Sequence, residues 1–202
     1  MKTNITKYTR GDKTIIFVGM IHIASDNYYR KIKSFLKSYP DGCVLYEGVG
    51  NKDKNQDIIK YAKDIKDFAK IVDLTYQGDA IDFKNSNWVN SDLDFSLLES
   101  ISGKDVLPKL ELDLEFLAKN KKLTKNVFKL GMRFITPIIS FIDDAVIIDI
   151  RNNKVLTDAF SLLKDNDDVV INYGQGHEPG ISKYLKRVGF NKEIIERIGY
   201  NI

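Results

Sequence analysis

The chain has two histidines, and each closes a Gly-x-x-His segment: Gly19-Met20-Ile21-His22 and Gly174-Gln175-Gly176-His177. Each segment follows an apolar run, Ile15-Ile16-Phe17-Val18 in the first case and Val169-Val170-Ile171-Asn172-Tyr173 in the second. Glu47 follows a third run, Cys43-Val44-Leu45-Tyr46. Two imidazoles and one carboxylate are a common donor set for a divalent transition metal that keeps open positions. A metal so held lowers the pKa of bound water and polarises a carbonyl, which is the chemistry of hydrolysis. His22, His177 and Glu47 are therefore candidate ligands for Mn, Co or Zn, and Glu47 is equally a candidate general base. Gly19, Gly174 and Gly176 would let the backbone turn tightly beside such a site. His177 stands at a predicted helix start, Glu178-Pro179, where the dipole favours the neutral imidazole that a metal needs. Arg151 could bind a substrate carboxylate or a developing oxyanion, while Asp149 beside it offers a plain surface ion pair. One Gly-x-x-His segment is a weak signal; its repetition after the same kind of element is what carries weight.

Those residues need elements to bring them together. Runs of four apolar residues read as strands buried on both faces, as in a parallel sheet, and this assigns strands to residues 13–18, 43–46 and 169–173. If they run parallel, their C-terminal ends share the sheet edge where α/β folds place their sites. Between the first two, Tyr29, Ile32, Leu36 and Tyr39 recur at helical spacing after a cap at Ser25 or Asp26, and Pro40-Asp41-Gly42 makes a turn. This is a strand–helix–strand unit with a right-handed crossover. Ile58, Ala62, Ile65, Ala69 and Val72 mark a second helix, and residues 73–77 a short extended piece. Residues 78–95 are rich in Asp, Asn and Ser and read as a polar loop, anchored by the single tryptophan, Trp88. Leu107, Leu110, Leu114 and Leu117 predict one further helix, and Leu123, Val127, Leu130 and Phe134 another. Residues 143–163 fit either a strand at 145–150 or one long helix, and the lack of Gly or Pro favours the helix. Ile181, Tyr184, Leu185 and Val188 mark the last helical face. The expectation is an α/β domain over residues 1–202 with a mainly parallel sheet and a helical insertion at about 100–165.

Composition narrows the function classes. Of 202 residues, 43% are hydrophobic and 29% charged, which fits a globular chain and excludes a mostly disordered one. Lys plus Arg total 31 against 28 acidic residues, a surplus of +3 that gives no reason to expect nucleic acid as a partner. The Lys-rich stretch 119–129 reads as a solvated face. The single cysteine, Cys43, excludes an internal disulfide and a Cys-rich metal site, and reads as an inert buried residue. Residues 1–14 carry no signal-peptide pattern. Lys129, Arg133, Asp143, Asp144 and Asp149 interrupt the apolar stretch 127–150, which argues against a membrane span. A cytoplasmic protein without a membrane partner is expected. There is no phosphate loop, no dinucleotide fingerprint and no Gly-x-Ser-x-Gly turn.

The run Val-Gly-Met-Ile-His-Ile-Ala-Ser, the later Pro-Asp-Gly-Cys-Val-Leu-Tyr-Glu-Gly and the final Gly-Gln-Gly-His-Glu-Pro-Gly-Ile together resemble the TraB/PrgY/Tiki/GumN family. That family belongs to a wider group with the erythromycin-esterase-like and ChaN-like proteins. Its pattern of paired Gly-x-x-His segments, a glutamate after the second strand and an arginine on the helix before the last segment falls here on Gly19–His22, Glu47, Arg151-Asn152 and Gly174–His177. The stretches Gln77-Gly78-Asp79-Ala80-Ile81-Asp82-Phe83 and Trp88-Val89-Asn90-Ser91-Asp92-Leu93 also look like bacterial members. This makes Gln77 and Asp92, with Gly19, Gly174 and Gly176, candidate substrate-binding positions. The resemblance implies a three-layer α/β fold with the site at one sheet edge. Tiki members are regarded as metal-dependent proteases, and TraB and PrgY members are associated with shutting down peptide-pheromone signals. ChaN-like relatives bind haem, and erythromycin-esterase-like relatives open a lactone without a metal. The leading expectation is a metal-dependent hydrolase of an amide or peptide bond. Metal-free ester or lactone hydrolysis is one alternative, and sequestration of a small molecule or peptide without turnover is another. Edge strands would permit a homodimer.

Overall fold

The computed structural model describes residues 2–40, 42–48, 50, 54–83, 88–102, 113–142 and 145–200, with side chains for all but 102, 132–142 and 145. Residues near the start that looked merely polar form strand β1 (Lys2–Arg10), which pairs antiparallel with β2 (Lys13–Met20). Thr3, Ile5, Thr6 and Tyr8 are buried within it; threonine carries enough β-branched surface to serve as a strand residue. Gly11 stands at φ 61° in the two-residue Gly11-Asp12 connection, a backbone that hairpin turns of this length require. Next come β3 (Ile23–Ala24), α1 (Asp26–Leu36) and β4 (Val44–Tyr46). The stripe Tyr29, Ile32 and Leu36 is buried on α1 as its spacing predicts, while Tyr39 lies past the helix end and packs on Phe35.

The middle of the chain is helical: α2 (Gln56–Ile71), the short β5 (Thr75–Tyr76), α3 (Gln77–Ala80), β6 (Val89–Asn90), α4 (Phe95–Ser102), α5 (Leu114–Lys119), α6 (Lys121–Ile142) and α7 (Ala145–Leu162). Leu107 and Leu110 of the predicted helix lie outside the described residues. The stretch read as a loop over 78–95 contains most of the short α3 and the strand β6, which pairs with β4 despite its polar surroundings. Residues 145–150 are helical, so the strand alternative there falls away. The chain closes with β7 (Asp168–Gly174), a 3-10 turn (Gln175–His177), α8 (Glu178–Arg187) and β8 (Asn191–Gly199). Strand β8 escapes the sequence reading because it lies at the sheet edge, carries alternating charge and buries little besides Ile198.

The six-stranded sheet has the order β6-β4-β7-β2-β1-β8. Strands β6, β4, β7 and β2 are parallel, and β1 and β8 extend the sheet antiparallel on one side. The strand that comes late in sequence, β7, sits between β2 and β4, so the expected strand–helix–strand unit spans a gap that β7 fills. The two-residue side-chain period of β2 feeds two cores. Ile16, Val18 and Met20 pack with Tyr28, Tyr29, Ile32 and Leu36 of α1. Ile15 and Phe17 pack with Val155, Leu156 and Ala159 of α7 and with Ile181 and Leu185 of α8. The result is a three-layer α/β fold with helices on both faces of a mostly parallel sheet and a helical insertion in the middle. Among the described residues no helix is long and apolar enough to cross a membrane.

Candidate functional site

The sheet register sets which strand ends meet. Met20 pairs with Gly174, and Tyr46 pairs with Asn172. Glu47 therefore leaves β4 level with the end of β7, and its backbone N–H donates to the Asn172 carbonyl at 3.1 Å. One Glu47 carboxylate oxygen accepts from the backbone N–H of Gly174. The other accepts from Arg151 Nη2 at 2.6 Å. His177, at the end of the turn after β7, brings its Nε2 to 3.6 Å from the same Glu47 oxygen. Residues from β4, β7, α7 and the turn before α8 thus converge at the C-terminal edge of the sheet, the place that its topology favours.

Arg151 is held from the other side by Asp92. Its Nε and Nη2 donate to the two Asp92 carboxylate oxygens at 2.9 and 2.6 Å, a bidentate fork. Asp92 also accepts from the backbone N–H groups of Gly48 at 3.1 Å and Leu93 at 2.8 Å. Its side chain is 0% exposed. Asp92 accordingly positions Arg151 and has no surface to offer a substrate. Arg151 commits three N–H···O bonds to carboxylates, so its role here is to hold Glu47.

The imidazole of His177 is fixed by two neighbours. Its Nδ1 lies 2.8 Å from Asn152 Oδ1, one residue along α7 from Arg151. With Asn152 accepting, Nδ1 carries the proton and Nε2, facing Glu47, holds the lone pair. Gly180 makes room for this amide, since a Cβ there would stand 2.5 Å from Asn152 Nδ2. The Tyr173 ring meets the imidazole edge-on, with centroids 5.1 Å apart, and its hydroxyl donates to the Ser91 carbonyl at 2.6 Å. Sequence reasoning finds Asn152 only as the neighbour of Arg151 and reads Tyr173 as strand core. Nothing local marks them, because their roles depend on the packing of α7 against β7.

The electrostatics follow from this packing. Burial alone would push the Glu47 carboxyl up, but Arg151, His177 and His22 outweigh it and hold the group well below the usual carboxylate range. Burial disfavours the Arg151 charge, yet Glu47 and Asp92 raise its pKa above the ordinary value. The Tyr173 hydroxyl is pushed up by burial first and then by Asp92 and Glu47, so it stays a neutral donor. Glu47 is thus an anion at neutral pH and a weak base. An imidazole beside it can gain a proton and have the resulting charge balanced.

The remaining predicted positions have other roles than those expected of them. His22 is exposed, on the loop after β2, and the Gln77 backbone N–H donates to its carbonyl at 2.9 Å. Gln77 therefore braces the His22 loop through its backbone. The glycines do not stand in the left-handed backbone conformation that the tight-turn argument assumed; that conformation occurs at Gly11, Gly42 and Gly189. Gly19 lies within β2 and admits the Gln175 side chain, whose Oε1 would be 2.0 Å from a Cβ and accepts from the Asn4 backbone N–H at 3.0 Å. Gly174 lets the Glu47 carboxylate close in, at 3.1 Å from where a Cβ would stand. Gly176 faces open space.

The donor set does not fit the three-ligand metal centre expected of His22, His177 and Glu47. Among the described residues no group of three or more His, Cys, Asp or Glu side chains is placed to hold a metal ion. Both Glu47 oxygens are engaged, and the Arg151 guanidinium occupies the position where a cation would neutralise that carboxylate. A cavity of about 480 Å³ lies apart from this cluster, lined by Asp26, Tyr29, Arg30, Lys33 and Ala80, and includes none of the predicted site residues. No family model, curated protein or solved structure matches the chain.

Proposed function

We propose that the chain is a hydrolase whose acid–base group is His177, supported by Glu47. The observation that carries this reading is the orientation of one imidazole. Asn152 fixes Nδ1, and Nε2 faces, at 3.6 Å, a carboxylate whose pKa is lowered. That gap is longer than a good direct hydrogen bond, and the proposed step has a water reach Nε2 there although His177 itself is 5% exposed. In the proposed step, Nε2 takes a proton as the water oxygen bonds to a carbonyl carbon. The imidazolium, balanced by Glu47, then returns the proton to the departing oxygen or nitrogen as the acyl bond breaks. Arg151, anchored on Asp92, keeps Glu47 ionised and in place. The substrate class is an ester, lactone or amide of a small molecule or peptide.

The test is turnover of p-nitrophenyl esters, lactones and a peptide pool by the purified protein, with and without chelator, alongside His177→Ala and Glu47→Gln. Turnover that survives chelation and falls roughly 10²- to 10⁴-fold in His177→Ala supports the reading. No turnover of any class, or a folded His177→Ala variant as active as the parent, refutes it. Activity lost to chelator and restored by Mn, Co or Zn would assign metal-dependent hydrolysis instead, with His22 recruited to the pair. Substrate retained intact at one equivalent would assign sequestration.

A further inference from the structure

Helix α1 follows β3 and α3 follows β5, and the ladder that joins these strands, Ile23 to Tyr76 and Ala24 to Thr75, holds the two helices beside each other. The cavity of about 480 Å³ is walled by Asp26, Tyr29, Arg30 and Lys33 of α1 and by Ala80 of α3. At about 3.6 residues per turn, the four α1 residues fall within an arc of about 100°. Tyr29 is buried and its hydroxyl donates to the Ile21 carbonyl at 2.9 Å, so it gives the cavity ring surface. Ala80 packs on the same core and adds a methyl group on the other side.

Charge is lopsided on this helix, against the even mixing seen in the whole chain. From Asn27 to Pro40 the sequence carries Arg30, Lys31, Lys33 and Lys37 and no Asp or Glu. Among the described residues none of these four cations forms an ion pair. The acids on the two walls are engaged: the Asp26 carboxylate accepts from the Thr75 hydroxyl, and Asp79 of α3 pairs with Lys66 at 2.7 Å. Lys31 lies about 100° round the helix from Arg30 and lines no part of the cavity, as a solvated lysine would. Arg30 and Lys33 differ from it because they border a concave surface that also offers apolar contact. An arginine presents parallel N–H donors that match a carboxylate, and a lysine adds a point charge. Arg30 and Lys33 against Asp26 leave the lining with one net positive charge, which suits a single carboxylate.

We propose that this cavity binds a small organic acid as its carboxylate, with the oxygens held by Arg30 and Lys33 and the apolar body laid on Tyr29 and Ala80. The site is separate from the Glu47–His177 cluster, and the proposal does not rest on the hydrolase reading.

Titration of the isotope-labelled full chain, followed by its amide NMR signals at neutral pH and constant ionic strength, tests it. The probes are benzoate, the neutral benzamide of the same shape, and inorganic phosphate. Benzoate should shift the amides of α1 and Ala80 saturably, with a dissociation constant of about 1 mM for a ligand so small. Benzamide, which lacks the charge, should bind at least about tenfold more weakly. Phosphate, which lacks the apolar body, should also bind more weakly than benzoate. Arg30→Gln and Lys33→Gln should each weaken benzoate about tenfold, while Lys31→Gln changes it by less than about twofold. Circular dichroism checks that each variant is folded. Shifts that do not saturate below about 50 mM benzoate, or that fall outside α1 and α3, overturn the proposal. So does an equal loss in Lys31→Gln, or benzamide or phosphate binding as tightly as benzoate, because a cationic surface or a plain apolar dent would then account for the binding.

Discussion

Replacing Arg151 by methionine keeps much of the side-chain bulk on α7, removes the charge and strands two carboxylates. Asp92 loses bonds of 2.9 and 2.6 Å, and Glu47 loses one of 2.6 Å. The side chains of Arg151, Asp92 and Glu47 are 13%, 0% and 15% exposed, so water offers little compensation. Breaking a buried ion pair from one side costs about 3–5 kcal/mol. Gly48 and Leu93 still donate to Asp92, and Gly174 still donates to Glu47, which keeps the loss near that range instead of doubling it. In a chain of this size the melting temperature should fall by roughly 6–20 °C. The loss must also depend on pH. In the parent protein the native Glu47 value lies below the unfolded one, so its contribution is complete above the ordinary carboxylate range and is lost as pH falls through the native value. Without the guanidinium, the largest cause opposing burial is lost and the carboxyl titrates higher than in the parent protein. The variant's penalty is then full at neutral pH and shrinks on acidification, as the carboxyl protonates. Urea unfolding followed by far-ultraviolet circular dichroism, at neutral pH and near about pH 4.5, measures both effects. A loss under about 1 kcal/mol, the range of exposed ion pairs, or a loss that does not change with pH, would refute the account of Arg151 as the group that holds these carboxylates.

The motif glycines should separate by packing. Gly19→Ala, which drives a Cβ into Gln175, should cost about 1–3 kcal/mol in thermal unfolding. Gly176→Ala, facing open space, should stay within about 0.5 kcal/mol; equal effects would contradict the close-approach argument. Tyr173→Phe leaves the buried Ser91 carbonyl without its donor and should lose about 1–3 kcal/mol in the same measurement. Burial raises the Cys43 thiol pKa, so a thiol-specific disulfide reagent should react slowly with the folded protein and promptly once urea unfolds it. Prompt reaction of the folded chain would show that the segment entering β4 opens readily.

Much of the architecture is legible locally. The apolar runs ending at Val18, Tyr46 and Tyr173 announce buried strands because the parallel strands at the centre of the sheet are covered on both faces, which leaves no polar alternation to confuse them. Strands β1 and β8 escape notice for the opposite reason: threonines, lysines and glutamates fill positions where backbone pairing matters more than side-chain hydrophobicity. At the site, Glu47 and His177 stand out in the sequence, Arg151 is marked only by the resemblance, and the three meet, while His22 stays at the surface and Asp92 is a buried anchor.

The amino-acid sequence by itself determined the longer helices and the central strands β2, β4 and β7, and that Glu47 and His177 follow strand ends, because periodicity and turn residues act over a few neighbouring positions. Only the tertiary structure decided who meets whom. The Arg151–Glu47 pair joins residues 104 positions apart and the Glu47–Gly174 bond joins residues 127 apart. Both exist because β7 inserts between β2 and β4 and α7 packs across that edge, and such register and packing contacts leave no local signature in the chain.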